Sequence, residues 1–185
     1  GGAGFIGGHI AEEGLRRGLE VRLLDNFSTG SRQNSETLQK RGALVFEGDI
    51  TREEDLRRAL KGVDTVFHLA ARISVAESME KAADYVLTNT IGTLRLLAAC
   101  REQSVRNIVL SSSAAVYGDN PLIPKSEDMQ PEPKSPYAVT KLDGEYYFSM
   151  YRREYGLNAV CLRYFNVFGP RQNPRSAYAA AVPIF

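Results

Sequence analysis

The chain has 185 residues, of which 23 are basic and 22 acidic, so its formal net charge at pH 7 is +1. This balance argues against a nucleic-acid surface and against a polybasic membrane patch. No apolar run reaches the roughly 18 residues that a membrane span needs, and no signal peptide is visible. Cys100 and Cys161 lie in apolar segments without metal-ligand spacing. They predict buried free thiols, no metal site and a cytoplasmic location.

Short apolar runs alternate with helical stretches along the chain. Strands are predicted at 20–24 (ending at Asp25), 43–47, 65–69, 106–110 and 158–162. Helices are predicted at 6–17, 53–60, 82–103 and 137–155, with a Pro-rich loop at 121–136. This alternation predicts right-handed βαβ units and an α/β fold. We expect a Rossmann-like, doubly wound parallel sheet whose ligands bind at the carboxyl ends of the strands.

The chain begins with the letters GGAGFIGGHI, in which residues 2–7 fit G-x-G-x-x-G. Glycines let the chain turn tightly and bring backbone N–H groups against a pyrophosphate, which a helix N-terminus also attracts. From these letters alone, a tight turn without a ligand is the alternative. Asp25 ends the next strand, where a carboxylate can accept both ribose hydroxyls of an adenosine and repel a 2′-phosphate. A turn aspartate is its alternative, and the combination favours NAD over NADP.

The two ends of the chain break this pattern. The glycine-rich turn of such a fold follows the first strand, which lies in the middle of the sheet. No such strand precedes Gly1, and the chain stops within the letters AYAAAVPIF without a helix cap. We therefore expect a fragment, N-terminally truncated with its first strand missing, that is aggregated or molten when expressed alone.

A second group of residues lies within the letters SPYAVTK at 135–141. Tyr137 and Lys141 are four residues apart on a predicted helix and share one face. A neighbouring ammonium favours the phenolate, so Tyr137 can serve as acid and base for a substrate hydroxyl while hydride passes to NAD. Ser113, in the serine run after the fourth strand, can hydrogen-bond the same oxygen. Taken alone, the Tyr–Lys spacing also fits a surface pair.

These motifs resemble those of the extended short-chain dehydrogenases/reductases, in the NAD-dependent epimerase/dehydratase family that acts on nucleotide sugars. The resemblance covers essentially the whole chain. It includes the letters GGAGFIG, LLDNFSTG, GDI, FHLAA, TNTIGT, LSSSAAVYGD, SPYAVTK and LRYFNVFGPRQNP. The last of these is similar to UDP-sugar 4-epimerases that act on UDP-glucose and accept UDP-N-acetylglucosamine. Gly8 departs from the family, which commonly has serine there.

The resemblance implies roles for particular residues, matched letter by letter. The implied catalytic residues are Ser113, Tyr137 and Lys141. The implied NAD-binding residues are Gly1, Gly4, Phe5, Ile6, Gly7, Asp25, Asn26, Ser28, Thr29, Gly30, Asp49, Ile50, Leu69, Ala70, Ala71, Thr88, Tyr137, Lys141 and Phe165. The implied substrate positions are Ser74, Ser113, Asn166 and Ala180, although a polar turn residue is the alternative for Asn166.

The resemblance also implies a division into domains and a partner. An NAD-binding domain without its first strand would span 1–165, and the substrate-binding region would begin at 166–185, with most of that C-terminal lobe absent. The full-length protein would be a homodimer, joined through helices 82–103 and 137–155 in a four-helix interface. Tyr147, Tyr151 and Tyr155 form one stripe on the second helix, for which a core-facing position is the alternative.

The residues after Ser113 decide among the reactions of the family. The resemblance implies acidic residues there for 4,6-dehydratases and a glutamate at Ala115 for UDP-glucuronate decarboxylases. Ala114 and Ala115 cannot transfer a proton. We expect epimerisation at C4 of a UDP-sugar, either UDP-glucose/UDP-galactose or the N-acetylated pair, through a transient 4-keto intermediate. The alternatives are another nucleotide-sugar oxidoreductase or epimerase, such as a UDP-glucuronate epimerase, and a non-catalytic dinucleotide-binding module.

Overall fold

The computed structural model describes residues 1–173, so the predicted substrate position Ala180 lies outside the described residues. The α-helices are α1 (Phe5–Arg16), α2 (Arg32–Lys40), α3 (Glu53–Leu60), α4 (Val75–Glu80), α5 (Ala82–Tyr85), α6 (Gly92–Glu102) and α7 (Pro136–Tyr155). The strands are β1 (Arg22–Asp25), β2 (Leu44–Glu47), β3 (Thr65–His68), β4 (Asn107–Ser113) and β5 (Asn158–Tyr164). A π-helical turn (Val86–Ile91) joins α5 to α6, and a 3₁₀ turn (Ala114–Tyr117) follows β4.

All strand pairs are parallel, and they form two pieces: β1 beside β2, and β3–β4–β5 in that order. Gly1 lies between the two pieces. Its amino group donates to the carbonyl oxygen of Leu24 at 2.7 Å, and a Cβ added to it would lie 2.5 Å from the nitrogen of Ala70. The prediction of a Rossmann-like α/β arrangement with parallel strands is therefore confirmed. Among residues 1–173, no helix combines the length and apolarity needed to cross a membrane.

The main core lies between the three-stranded piece and helices α3, α6 and α7. Leu97, Ile108 and Phe148 are almost completely buried there. Gly144 lets α7 approach β4 closely, because a Cβ at that position would lie 2.9 Å from Cδ2 of Leu110. This close contact fixes the distance between the helix and the strand whose ends carry the predicted catalytic residues.

Two short helices, α2 and α4, are absent from the sequence-based prediction. Both are short and largely polar, so the apolar periodicity that identifies a helix is weak in them. Each begins at a serine, Ser31 or Ser74, whose hydroxyl oxygen accepts the backbone N–H three residues ahead. That contact is helix N-capping, although serine is equally common in turns. Leu38 then anchors α2 in a second apolar cluster.

Two predicted elements differ from the structure in a way that bears on the site. The fourth strand is predicted at 106–110, but β4 continues through the serine run to Ser113, which pairs with Tyr164 of β5. Serine has little preference for strands, so here the pairing with β5 overrides local propensity. The helix predicted at 82–103 is interrupted by the π-helical turn. The other predicted helices and strands agree with the structure to within two residues at each end.

Asn89, in the π-helical turn, is 4% exposed and fully hydrogen-bonded. Its Oδ1 accepts the N–H of Arg72 at 2.8 Å. Its Nδ2 donates to the carbonyl oxygen of Arg72 and to Oγ1 of Thr140, both at 3.0 Å. One amide thereby joins the π-helical turn to the loop after β3 and to α7. Single π-helical turns occur often at functional sites, and this one holds the loop after β3 and α7 together.

Replacing Asn89 with alanine is expected to lower the free energy of unfolding by about 2–4 kcal/mol, because the N–H and carbonyl groups of Arg72 and the buried hydroxyl of Thr140 lose their partner. Urea unfolding of the protein measures this difference. Asn158→Ala, at an exposed position at the start of β5, is the control, with an expected change within about 0.5 kcal/mol. Equal effects of the two substitutions would contradict the stabilising role of the Asn89 hydrogen bonds.

Candidate active site

The glycine-rich turn leads directly into α1 and leaves the start of that helix without a cap. A Cβ on Gly7 would lie 2.3 Å from the carbonyl oxygen of Gly1, so only glycine allows the helix to pack on the turn in this way. Gly4 is the N-cap residue and offers no side-chain acceptor to the first-turn N–H groups of α1, which begins at Phe5. By contrast, α2, α4 and α7 each begin at a capping serine. An anion such as a pyrophosphate suits this uncapped helix end.

Asp25 ends β1 beside this turn and is 6% exposed. Its Oδ2 accepts the N–H of Ala3 at 2.9 Å and its Oδ1 accepts the N–H of Phe27 at 2.8 Å. Gly30 approaches so closely that a Cβ there would lie 2.6 Å from Oδ1. The carboxylate therefore ties the glycine-rich turn to the turn after β1. This is the role of a turn aspartate, and its predicted contact with a ribose stays a prediction.

Asn26 and Asp49 connect the carboxyl ends of β1 and β2. Asn26 Nδ2 donates to Asp49 Oδ2 at 2.7 Å, while Thr51 donates its N–H and its hydroxyl to Asp49 Oδ1. Burial acts to raise the pKa of Asp49, but the hydrogen bonds from Thr51 and Asn26 outweigh it, so the pKa is lowered. The side chain of Ile50 is buried in the core. Only the backbone of Ile50 can therefore face a ligand.

The remaining predicted cofactor and substrate positions lie in loops or turns near the same edge. Ser28 and Thr29 are exposed in the turn after β1, and Phe165, directly after β5, is 62% exposed. The segment that follows β3 contains Leu69, Ala70, Ala71 and Ser74, the last of which caps α4. Thr88 is partly buried in the π-helical turn, and Asn166 is exposed after Phe165.

The three predicted catalytic residues lie on two neighbouring elements: Ser113 ends β4, and Tyr137 and Lys141 are on α7. Oγ of Ser113 accepts the N–H of Ala115 at 3.1 Å, which leaves the hydroxyl proton of Ser113 to donate elsewhere. Nζ of Lys141 donates to the carbonyl oxygen of Ser111 at 2.8 Å and lies 5.8 Å from the centre of the Tyr137 ring. Since Lys141 is only 6% exposed, the surface-pair alternative is wrong for this Tyr–Lys pair.

Lys141 is the main positive charge at this point. Burial lowers its pKa to about 8, so the ammonium form still predominates at neutral pH. The neighbouring His68 is neutral, because burial, followed by the charge of Lys141, lowers its pKa to about 3. His68 Nε2 contacts Oγ1 of Thr93 at 2.8 Å, and that hydroxyl donates to the carbonyl oxygen of Asn89. His68 therefore donates from Nε2.

His68, Asn89 and Thr93 lie outside the sequence-based site. The signal that could have found them is the placement of polar side chains in otherwise apolar segments, where a buried polar group needs a partner. Cys100 is buried and Cys161 partly buried, and both are free thiols. Burial raises the pKa of each to about 12, so neither is a nucleophile at neutral pH. Within residues 1–173, no group of three His, Cys, Asp or Glu side chains could hold a metal ion.

An uncapped glycine-rich helix start, an acid at the end of β1 and a Ser–Tyr–Lys group at β4 characterise the Rossmann-like short-chain dehydrogenases/reductases. Residues 1–185 match the NAD dependent epimerase/dehydratase family. The chain belongs to this family.

Several relatives are similar to the chain over most of its length. UDP-glucuronate 4-epimerase 4 of Arabidopsis thaliana is 40% identical over 187 residues, which cover 96% of this chain and 43% of that protein. The crystal structure of UDP-glucose 4-epimerase from Thermus thermophilus in complex with NAD is 43% identical, with a TM-score of 0.89, and the match covers 96% of this chain and 57% of that one.

A second solved structure is similar in the same way. It is the UDP-N-acetylglucosamine 4-epimerase from Methanobrevibacter ruminantium M1 in complex with UDP-N-acetylmuramic acid, at 40% identity and a TM-score of 0.91, covering 98% of this chain and 58% of that one. The chain spans about half the length of the curated relatives that it matches.

Replacing Asp25 with alanine is expected to change stability and cofactor preference together. Two backbone N–H groups lose a charged acceptor, each such bond contributing about 1.5–3 kcal/mol, so urea unfolding should show a loss of about 3 kcal/mol or more. Removal of the carboxylate should also narrow the preference for NAD over NADP, measured by cofactor titration. Asp64→Ala, at a 64% exposed carboxylate, is the control. An unchanged preference would place the discrimination elsewhere.

Proposed function

We propose that the protein catalyses NAD-dependent epimerisation at C4 of a UDP-sugar, either UDP-glucose/UDP-galactose or the N-acetylated pair, through a transient 4-keto intermediate. One observation carries the proposal: a buried ammonium, Lys141, lies beside Tyr137 and is bonded to the carbonyl oxygen of Ser111, near the carboxyl end of β4. That strand ends at Ser113, whose hydroxyl oxygen accepts the N–H of Ala115 and can still donate its proton. Membership of the family and the named activities of the relatives support it.

The residues of the glycine-rich turn fit NAD. The turn forms a cradle in which added Cβ atoms at Gly1 and Gly7 would clash with backbone, and the N–H groups of Phe5 and Ile6 in the uncapped first turn suit a pyrophosphate. Asp25 and its turn would hold the adenosine ribose, and Phe165 would lie near the nicotinamide. When bound, the cofactor supplies a reversible hydride acceptor.

Tyr137 would move the proton in both half-reactions. As phenolate it accepts the proton of the C4 hydroxyl while that carbon loses hydride, and as phenol it returns the proton when hydride comes back to the other face of the sugar. Lys141 stabilises the phenolate electrostatically. Ser113 donates a hydrogen bond to the same substrate oxygen. The bond from Lys141 to the carbonyl oxygen of Ser111 keeps the ammonium beside the phenol.

Other reactions are less well supported by the residues present. Ala114 and Ala115 form the 3₁₀ turn directly after Ser113, and neither can transfer the proton that dehydration requires. A non-catalytic binding module has no need of a buried Lys141 beside Tyr137. A UDP-glucuronate 4-epimerase is the second candidate, favoured by a relative of that name at 40% identity. Epimerisation of UDP-glucuronate would use the same proton and hydride transfers as the proposed reaction, and only the sugar would differ.

Tyr137→Phe should retain bound NAD and lose turnover by about a hundredfold or more, because the phenolate base is gone. The measurement is incubation of the intact protein with UDP-glucose, UDP-N-acetylglucosamine and UDP-glucuronate, followed by separation of the epimers. Tyr155→Phe, at a 52% exposed ring on the same helix, is the control. Turnover of Tyr137→Phe near the wild-type rate would contradict the role of Tyr137 as the acid–base group.

The proposal includes a homodimer, but the tyrosine stripe is not its surface. Tyr147 and Tyr151 pack partly buried against the core, so the core-facing alternative is correct for them. Besides Tyr155 at the end of α7, the large exposed apolar side chains of this helix are Val139, Tyr146 and Met150, which are 44%, 57% and 39% exposed. Their spacings of seven and four residues place them on one face of the helix. A second copy of the chain would cover this stripe.

Tyr146→Glu should weaken the dimer, because it places a charge in the apolar stripe. Light scattering over a concentration series should show a dissociation constant raised at least about tenfold. Tyr155→Glu, nine residues away and therefore on the opposite side of α7, is the matched control and should leave assembly unchanged. A wild-type protein that is only monomeric would dispose of the proposed dimer.

A further inference from the structure

A largely buried ion pair joins Arg163 of β5 to Glu145 of α7 and has no part in the mechanism above. Arg163 of β5 donates from Nη2 to Oε2 of Glu145 at 2.8 Å and from Nε to Oε1 at 3.0 Å. The two side chains are 17% and 13% exposed. The guanidinium also lies 4.8 Å from the centre of the Tyr117 ring, in the 3₁₀ turn after β4. The pair therefore joins α7, β5 and that turn.

Glu145 extends the face of α7 that carries the predicted catalytic residues. It follows Tyr137 and Lys141 at the same four-residue spacing, so all three lie along one stripe. Lys141 donates to the carbonyl oxygen of Ser111, and Oγ of Ser112 donates to Oε1 of Glu145 at 2.5 Å. Two successive residues of β4 are thus tied to two successive turns of α7, directly before Ser113.

The ion pair is poorly explained by stability alone. A buried ion pair is often no more stabilising than an apolar pair of similar size, because both ions lose their hydration. What Arg163 does provide is a two-point partner for a carboxylate that lies one turn from Lys141. An unpaired Glu145 would attract the ammonium of Lys141. That attraction would draw the ammonium away from Tyr137.

We infer that Glu145 and Arg163 are positioning residues for Tyr137: they hold the end of β4 against α7 and keep the charge beside the phenol balanced. The inference rests on the proposed function for the role of Tyr137. The contact with Arg163 keeps the carboxylate of Glu145 away from the ammonium of Lys141. Glu145 in turn neutralises the guanidinium of Arg163, which would otherwise be an unpaired charge near the site.

Other ionisable groups near this stripe are already engaged or neutral. Within residues 1–173, they are His68 on β3, Tyr117 in the 3₁₀ turn, Cys161 on β5, the amino group of Gly1 and Asp143 on α7. Burial raises the pKa of the Cys161 thiol to about 12, so it is protonated. His68 is neutral at the pH of interest. Asp143 accepts the hydroxyl of Thr90 at 3.0 Å, and the Gly1 amino group is held by Leu24 and Asp25. Changes at Glu145 and Arg163 therefore alter the local charge without touching the reacting groups.

Two single variants should move the ionisation of Tyr137 in opposite directions. Arg163→Met leaves the negative charge of Glu145 unpaired, which disfavours the phenolate and raises the pKa of Tyr137. Glu145→Gln leaves the positive charge of Arg163 unpaired and lowers that pKa. We expect shifts of at least about half a pH unit each. In the double variant, where the charges balance again, the pKa should return to the wild-type value.

The ionisation is measured in two ways. The rising limb of turnover against pH reports it in the active protein. The ultraviolet difference absorbance between each variant and the same variant carrying Tyr137→Phe reports the phenolate without any turnover. If the absorbance shifts are opposite but no epimer forms, the positioning role stands and the proposed function fails. If epimers form and the absorbance does not shift, the positioning role fails.

The controls separate charge balance from a loss of structure. Arg153→Met and Glu154→Gln change an exposed ion pair on the same helix, 74% and 57% exposed, and should not move the phenol pKa. Arg163→Lys keeps the charge without the two-point contact, so it should keep the wild-type pKa and lower kcat. The melting temperature of every variant is measured as well, so that a loss of structure is recognised. Shifts of the same sign in both single variants, or a displaced pKa in Arg163→Lys, would overturn the inference.

Discussion

The contact between α7 and β4 is the constraint on which the rest of the site depends. A lysine that is 6% exposed needs a partner for its ammonium, and Lys141 finds one in the carbonyl oxygen of Ser111. That bond is possible because Gly144 lets the helix approach Leu110 of the strand. Shortening the distance in this way brings Tyr137 beside the end of β4. The packing of α7 on β4, the hydrogen bond of Lys141 and the position of the proposed acid–base group thus all follow from one close approach.

A second constraint acts on the other piece of the sheet. Asp25 is bonded to backbone N–H groups on both sides, one in the glycine-rich turn and one in the turn after β1. A carboxylate in this position shapes the cradle before any ligand arrives. Its predicted contact with a ribose would add to that role, because each oxygen can accept more than one hydrogen bond. Under the proposed function, the stability of the fold and the choice of cofactor would therefore depend on the same side chain.

The elements and residues with strong local signals could be predicted from the sequence, and their long-range partners could not. Apolar runs and glycine-rich turns identify the five strands of residues 1–173 and place α1, α3 and α7 to within two residues. The polar helices α2 and α4 form through serine caps and tertiary packing, which periodicity does not contain. Tyr137 and Lys141 follow from their spacing and lie beside each other in the structure, while Ser113 follows from its place at the end of β4. Glu145 and Arg163 are 18 residues apart in the sequence, so their contact can be predicted only when the packing of α7 against β5 is known.

The arrangement at the end of β4 also restricts the chemistry. In the proposed mechanism Tyr137 is the acid–base group, while the alanines directly after Ser113 can neither donate nor accept a proton. A single proton site can serve a reaction that removes a proton and later returns it to the same oxygen. An elimination needs separate groups for the departing hydroxyl and for the carbon-bound proton. A site in which Tyr137 alone moves the proton would therefore fit the proposed isomerisation, in which the proton and the hydride each leave and come back.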